Sequence, residues 1–282
     1  EYRRQRQMCI RDSYETLQNA PTSMAVQADG KILVAGSASV VEKGEVNILS
    51  GDFSIIRLNE NGSLDTTFGE SSTQNKKQKT GKVLLDIGKD SNDNPLSLVI
   101  QADGKVLVTG QTTAQPKDSN GTSLNYCIVR LNTDGTIDNT FGDFVNNKKT
   151  EKTGKVVLDL GTSSEDRAFS TAMQWDGKIL IAGSTNAQPA GALGSSKNYG
   201  IVRLSGEGVL DQAFGGNGKV ILDIGNNTDD QALSVVQQSD GKILIAGTTN
   251  KDVYPSDSRN YGIIRLKDCL LYTSDAADDT PC

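Results

Sequence analysis

Three stretches of this chain align without a gap: Gly88 to Gln101, Gly161 to Gln174 and Gly225 to Gln238. Asp93, Asp166 and Asp230 hold the same place in each, with Glu165 and Asp229 just before two of them. Carboxylates gathered at one face can hold a hard cation such as Ca2+ through oxygen, or a polar ligand. Each can instead cap its own turn by accepting hydrogen bonds from backbone N–H groups, and capping is the use favoured here. A second recurrent set pairs arginine with aspartate. Arg57, Arg130, Arg203 and Arg265 each interrupt an apolar stretch, and Asp86, Asp159 and Asp223 recur in another. A charge inside a covered strand must be paired or reach water. Arg–Asp pairs between these two strands are therefore expected, as scaffold and not as chemistry.

Other chemistry is excluded by what the chain lacks. There is no histidine, which removes Ser-His-Asp and Cys-His catalysis, histidine zinc sites and histidine acid–base work. Of four cysteines, Cys9, Cys269 and Cys282 lie near the ends. Cys127 stands where other repeats have Ser54, Gly200 and Gly262, which reads as packing at a place that wants a small residue. No disulfide framework results. No Dx[DN]xDG loop with a distal Glu is present, and the Gly-rich stretch Gly191 to Ser196 opens no helix, so neither an EF-hand nor a phosphate loop is expected. Glycosidase chemistry needs two unlike carboxylates at one place. Repeat-equivalent acids are the opposite arrangement, and the unique ones (Glu42, Glu45, Asp252) sit in loops without evident partners. No catalytic residue, cofactor or metal ligand is assigned, Ca2+ at the aspartates being the one cofactor considered.

The elements that position these residues come in four copies. QADGKILVAG from Gln27 returns at Gln101, Gln174 and Gln238. Each reads as two strands, A and B, joined at Asp-Gly by an expected type I′ turn. Strand C follows, as in Asn125 to Leu131 (NYCIVRL), then a tag such as GTIDNTFG from Gly135, then strand D, as in Gly154 to Leu160. Strands apolar on both faces suit sheets packed on both sides. In strand C, Tyr126 and Ile128 point one way and Cys127, Val129 and Leu131 the other. The tag rings Phe68, Phe141 and Phe214 are expected between sheets, helped by Leu64, Ile137 and Leu210. The chain is thus all-β, a β-propeller of four-stranded antiparallel blades. About four are present, near residues 23–87, 96–160, 168–224 and 232–267, the last losing strand D. With strand A innermost, Asp93, Asp166 and Asp230 would ring the channel mouth, above Ser97, Ser170 and Ser234. Blades that do not close a ring leave apolar faces open at both ends and invite self-association.

Residues 1–13 and 269–282 break every pattern above and resemble translated sequencing-adapter DNA; residues 14–268 read as one repetitive domain. A net charge of −6 does not favour nucleic acid or an anionic membrane. Two lysine clusters, Lys76, Lys77 and Lys79 and Lys148, Lys149 and Lys152, read as solvated loop charge. No apolar stretch is long enough to insert in a membrane as a helix.

The ordered pattern DGKIlvaG, RLNxDGxLDxxFGxxGKVxLDIG, QxDGK over residues 20–267 resembles the delta-60 repeat family of bacterial β-propellers. That resemblance implies a module of a secreted or cell-surface protein, with no catalytic residue to carry over. A binding scaffold for protein or glycan, on the face of the B–C and D–A loops, is the expected function. The alternative is the propeller portion of a carbohydrate-active enzyme such as a glycoside hydrolase.

Overall fold

A computed structural model describes residues 19–39, 51–73, 75, 77–116, 121–145, 151–192, 194–225, 227–250 and 259–267. The terminal segments 1–13 and 269–282, Glu42, Glu45, Asp252, Lys76, Lys148 and Lys149 lie outside them.

The described chain is all β. Blade 1 contains β1 (Asn19–Val26), β2 (Ile32–Ser39), β3 (Gly51–Leu58) and β4 (Lys82–Leu85). Blade 2 contains β5 (Asp93–Ile100), β6 (Val106–Thr112), β7 (Asn125–Leu131) and β8 (Lys155–Leu158). Blade 3 contains β9 (Arg167–Met173), β10 (Ile179–Thr185), β11 (Asn198–Leu204) and β12 (Lys219–Leu222). Blade 4 has three described strands, β13 (Gln231–Gln237), β14 (Ile243–Thr249) and β15 (Asn260–Leu266). Within each blade the strands pair antiparallel in chain order. The A strands β1, β5, β9 and β13 touch their neighbours in sequence, so A is the inner strand.

Strand A begins earlier than the apolar run suggests, at Asn19, Asp93 and Gln231 in blades 1, 2 and 4. The cause is a β-bulge that lets the ladder pass polar residues. Thr22, Leu96, Phe169 and Leu233 are skipped in the register with strand B. Opposite each bulge the strands crowd together at Gly36, Gly110, Gly183 and Gly247. A Cβ on Gly183 would lie 1.9 Å from the Arg167 carbonyl oxygen. This is why every copy of the A–B hairpin ends in glycine.

The Asp-Gly turn is not the expected type I′. Gly30, Gly104, Gly177 and Gly241 have positive φ, but the aspartates before them do not. Gly30 N–H bonds the Gln27 carbonyl (3.0 Å) and Gln27 N–H bonds Lys31 (2.8 Å). The hairpin is a type I turn followed by a glycine bulge. Asp29 keeps its ordinary backbone and accepts from Lys31 N–H at 3.2 Å, so the side chain steadies the turn without entering the left-handed region.

The apolar cores lie between blades. One joins Phe53, Ile55 and Phe68 to Val106, Cys127 and Val129. The next joins Tyr126, Ile128 and Phe141 to Ile179 and Val202. The third joins Tyr199, Ile201 and Phe214 to Val235 and Ile245. The alternation read in strand C therefore holds: Tyr126 and Ile128 face blade 3, and Cys127, Val129 and Leu131 face blade 1. All three tag phenylalanines are fully buried.

Candidate functional site

The arginines do not pair with strand D. Arg57 Nε bonds Asp65 (2.8 Å), Arg130 Nε bonds Asp138 (2.7 Å) and Arg203 Nε lies 2.8 Å from Asp211. These partners are the aspartates of the tag. A bridge such as Leu131 to Ile137 folds the tag back along strand C and brings its carboxylate to the guanidinium. The guanidinium plane covers the tag ring, 4.4 Å from Phe68, 4.5 Å from Phe141 and 4.7 Å from Phe214, a cation–π contact. Arg57 also donates to the Thr133 carbonyl and Arg130 to the Gly206 carbonyl, each in the following blade. Burial pushes the Asp138 carboxyl up, but bonds from Thr140 and Lys105 and the Arg130 charge outweigh it. The group is held well below the usual carboxylate range.

Asp86, Asp159 and Asp223 instead organise the D–A turn. Asp159 accepts from Gly161 N–H (3.1 Å), Ser163 N–H (2.8 Å) and the Ser164 hydroxyl (2.7 Å). Asp223 accepts from Gly225 N–H (3.1 Å) and Asn227 N–H (2.7 Å). Ser91 Oγ lies 3.1 Å from Asp86. Bonds from Asp159 and Asp223 hold Ser163 and Asn227 in the left-handed region, with φ of 58° and 64°, and Asp90 takes the same conformation at 60°, where side chains other than glycine are uncommon.

Asp93, Asp166 and Asp230 are fully buried and close the same turn from its other end. Asp93 accepts from Ile87 N–H (2.8 Å), Ser91 (3.0 Å) and Thr112 (2.5 Å). Asp166 accepts from Leu160 N–H (2.7 Å) and Ser164 (2.9 Å). Asp230 accepts from Ile224 N–H (2.9 Å) and Gly225 N–H (3.1 Å). Burial lifts the Asp166 carboxyl to about 6 against these bonds. The three carboxylates are turn caps, not an open ring at the channel mouth. The serines expected below them join blades: Thr171 N–H bonds Ser97 (3.2 Å) and Val235 N–H bonds Ser170 (3.2 Å).

One place breaks the repeat. Asp52 stands where the other blades have Asn125, Asn198 and Asn260. Asn125 and Asn198 each donate to a loop carbonyl, Ala114 and Ala187, at 2.9 Å, and a carboxylate cannot. Asp52 is nine-tenths buried. Its carboxyl, Asp86 and Asp93 each bring an oxygen within 4.8 Å of the other two. Burial first, then the Asp86 and Asp93 charges, push Asp52 to about 6, with the Lys155 charge opposing. Lys155 comes from blade 2 and its ammonium donates to the Asp86 carbonyl at 2.5 Å. Among the described residues this cluster is the group with the makings of a cation site. The Lys155 charge offsets part of this negative charge. Sequence reading missed it, although the signal was there: an aspartate in an asparagine column. It also missed Trp175, the only tryptophan. Trp175 is 76 % exposed on the A–B turn of blade 3, where the other copies carry Ala28, Ala102 and Ser239.

Cys127 is fully buried, and burial pushes its thiol well above the ordinary value, so it is not a nucleophile. Among the described residues, no helix is long and apolar enough to cross a membrane.

Four copies of one repeat, inner strands side by side and apolar cores between sheets, define a β-propeller. The family model described as "Domain of unknown function (DUF5122) beta-propeller" matches residues 27–68, 101–141, 174–214 and 238–267, and the chain belongs to that family. No curated protein matches. Among solved structures, the chain is similar to a protein of unknown function from Dyadobacter fermentans, with 13 % identity and a TM-score of 0.47. The match covers 87 % of this chain and 66 % of that one. An endo-arabinase from Bacteroides thetaiotaomicron matches with 12 % identity and a TM-score of 0.40, over 88 % of this chain and 74 % of that one. A xylan beta-1,4-xylosidase from Bacillus halodurans matches with 11 % identity and a TM-score of 0.37, over 88 % and 41 %.

Proposed function

We propose that this chain is a non-enzymatic binding scaffold, the propeller module of a bacterial secreted or cell-surface protein. Its partner is a protein or glycan, taken on the face of the D–A and B–C loops. The observation that carries this reading is that the recurrent buried charges are spent on the scaffold. Arg57, Arg130 and Arg203 hold tag aspartates, and Asp93, Asp166 and Asp230 hold their own turns. Among the described residues, what departs from the repeat on this face is Asp52, where a specific partner would be read.

A catalytic reading has one foothold, the Asp52 carboxyl lifted to about 6 beside two other carboxylates. Their oxygens approach more closely than the roughly 5–5.5 Å between the carboxyls of a retaining glycosidase, and Asp93 is already bonded at both oxygens. The test is titration calorimetry of the chain against a panel of soluble polysaccharides, with reducing-end release followed in parallel. Binding without release is expected if the partner is a glycan; release that Asp52→Asn abolishes would establish the enzyme instead. Trp175 lies on the opposite face, so its emission should not change when a ligand binds. A spectral shift on binding would move the site to the A–B turns.

A further inference from the structure

Blades 2 and 3 are each fastened to the next by the same three groups, and blade 1 by two of them, Phe53 standing in the tyrosine's place. The second residue of strand C donates across the seam: Tyr126 hydroxyl to the Gly200 carbonyl (3.0 Å) and Tyr199 hydroxyl to the Gly262 carbonyl (2.8 Å). The serine after the strand A bulge accepts from the next inner strand: Leu98 N–H to Ser23 (3.1 Å), Thr171 N–H to Ser97 and Val235 N–H to Ser170. The isoleucine two residues beyond the tyrosine packs against strand B of the next blade, as Ile128 and Ile201 do, both fully buried.

Blade 4 carries the whole set unused. Tyr261 is 92 % exposed and Ile263 66 % exposed, where Tyr199 and Ile201 are fully buried. Ser234 is exposed, and its hydroxyl has no hydrogen-bond partner among the described residues. Blade 1 carries the complement. Met24, in the place of Leu98, Thr171 and Val235, is 72 % exposed. Val34 and Ile56 are only partly buried, where their equivalents in blade 3, Ile181 and Val202, are fully buried. Ser54, in the place of Gly200 and Gly262, offers the carbonyl that Tyr261 lacks.

We propose that the occupant of both faces is a second copy of this chain, with blade 4 of each copy seated on blade 1 of the other. The contact would continue a seam whose serine bond this chain makes three times and whose tyrosine bond it makes twice, with Tyr261 on the Ser54 carbonyl and Ser234 receiving Met24 N–H. A head-to-tail contact stays open unless its rotation closes. Two copies supply eight blades, within the four to eight that propellers use, and leave neither face bare. This inference is independent of the function proposed above.

The test is light scattering after size exclusion on the full chain at tens of micromolar. The expected mass is twice the chain's 30.0 kDa. Ile263→Asp and Met24→Asp change exposed positions and should each give a folded monomer, with β circular dichroism retained. Mixed, the two variants still share one intact seam, wild-type blade 4 on wild-type blade 1, so a heterodimer should return. A monomeric wild type would overturn the proposal and leave these faces to further blades of a longer chain. A polydisperse wild type, or variants that do not reassociate on mixing, would overturn it too.

Discussion

At the scale of single residues, the buried charges divide into those the fold uses and one it tolerates. Arg130 has its aspartate, its ring and a carbonyl of the next blade, so removing it leaves Asp138, in a site 2 % exposed, with only Lys105 and Thr140 to balance its charge. Arg130→Met should cost about 3 kcal/mol, the low end for breaking a buried pair because Lys105 remains, read as a lower urea midpoint. Asp138 titrates below its unfolded value, so its stabilisation is complete above about pH 4 and is lost as pH falls through the folded pKa. Wild type should lose this increment in acid, and Asp138→Asn should not. Asp52 has the opposite sign. Its folded pKa of about 6 lies above the unfolded value, so its penalty is absent below about pH 4, grows as pH rises and is complete above 6. Asp52→Asn restores the residue of the other blades and should stabilise by ~1 kcal/mol at pH 7.5, the gain vanishing near pH 4. Thermal melts at the two pH values decide it; equal melting temperatures at pH 7.5 would mean that Asp52 is already satisfied, by an ion or by a neighbour.

At the scale of elements, the bulged A–B hairpin sets the blade. Gly183→Ala must drive a methyl into the Arg167 carbonyl and should cost ~3 kcal/mol or prevent folding. Gly191→Ala, also in blade 3, has positive φ but no neighbour within 4 Å, and should cost only ~1 kcal/mol. Equal denaturation midpoints for the two would show that the bulge relaxes. Strand order and the two-faced packing of strand C were legible in the sequence, because period-two alternation recurs in four copies. The arginine partner was not. Tag and strand D both carry a recurrent aspartate, and only the short bridge that folds Ile137 onto Leu131 chooses between them. The turn type was also illegible: Asp-Gly fits both hairpin families, and what decides is whether aspartate itself goes left-handed. The capping role of Asp93, Asp166 and Asp230 was legible, since a gapless turn of constant length needs constant internal bonds.

At the scale of the molecule, stability is a chain of nearest-neighbour seams. Strand β11 is buried throughout, whereas β15 exposes residues along its length. Amide exchange should therefore be slowest in β7 and β11 and fastest in β15 when the chain is monomeric. Uniform protection across all four C strands would mean that the end blades are covered. The seams also have a polarity. Where the tyrosine, serine and arginine contacts form, the side chain reaches forward to a main-chain group of the next blade. Because the receiving groups are mostly main-chain atoms, they do not depend on which side chains the receiving blade happens to carry. A gene encoding such a chain can therefore gain or lose a whole unit by unequal recombination, and both new junctions already fit. The number of blades can change in steps of one repeat with these seam bonds kept.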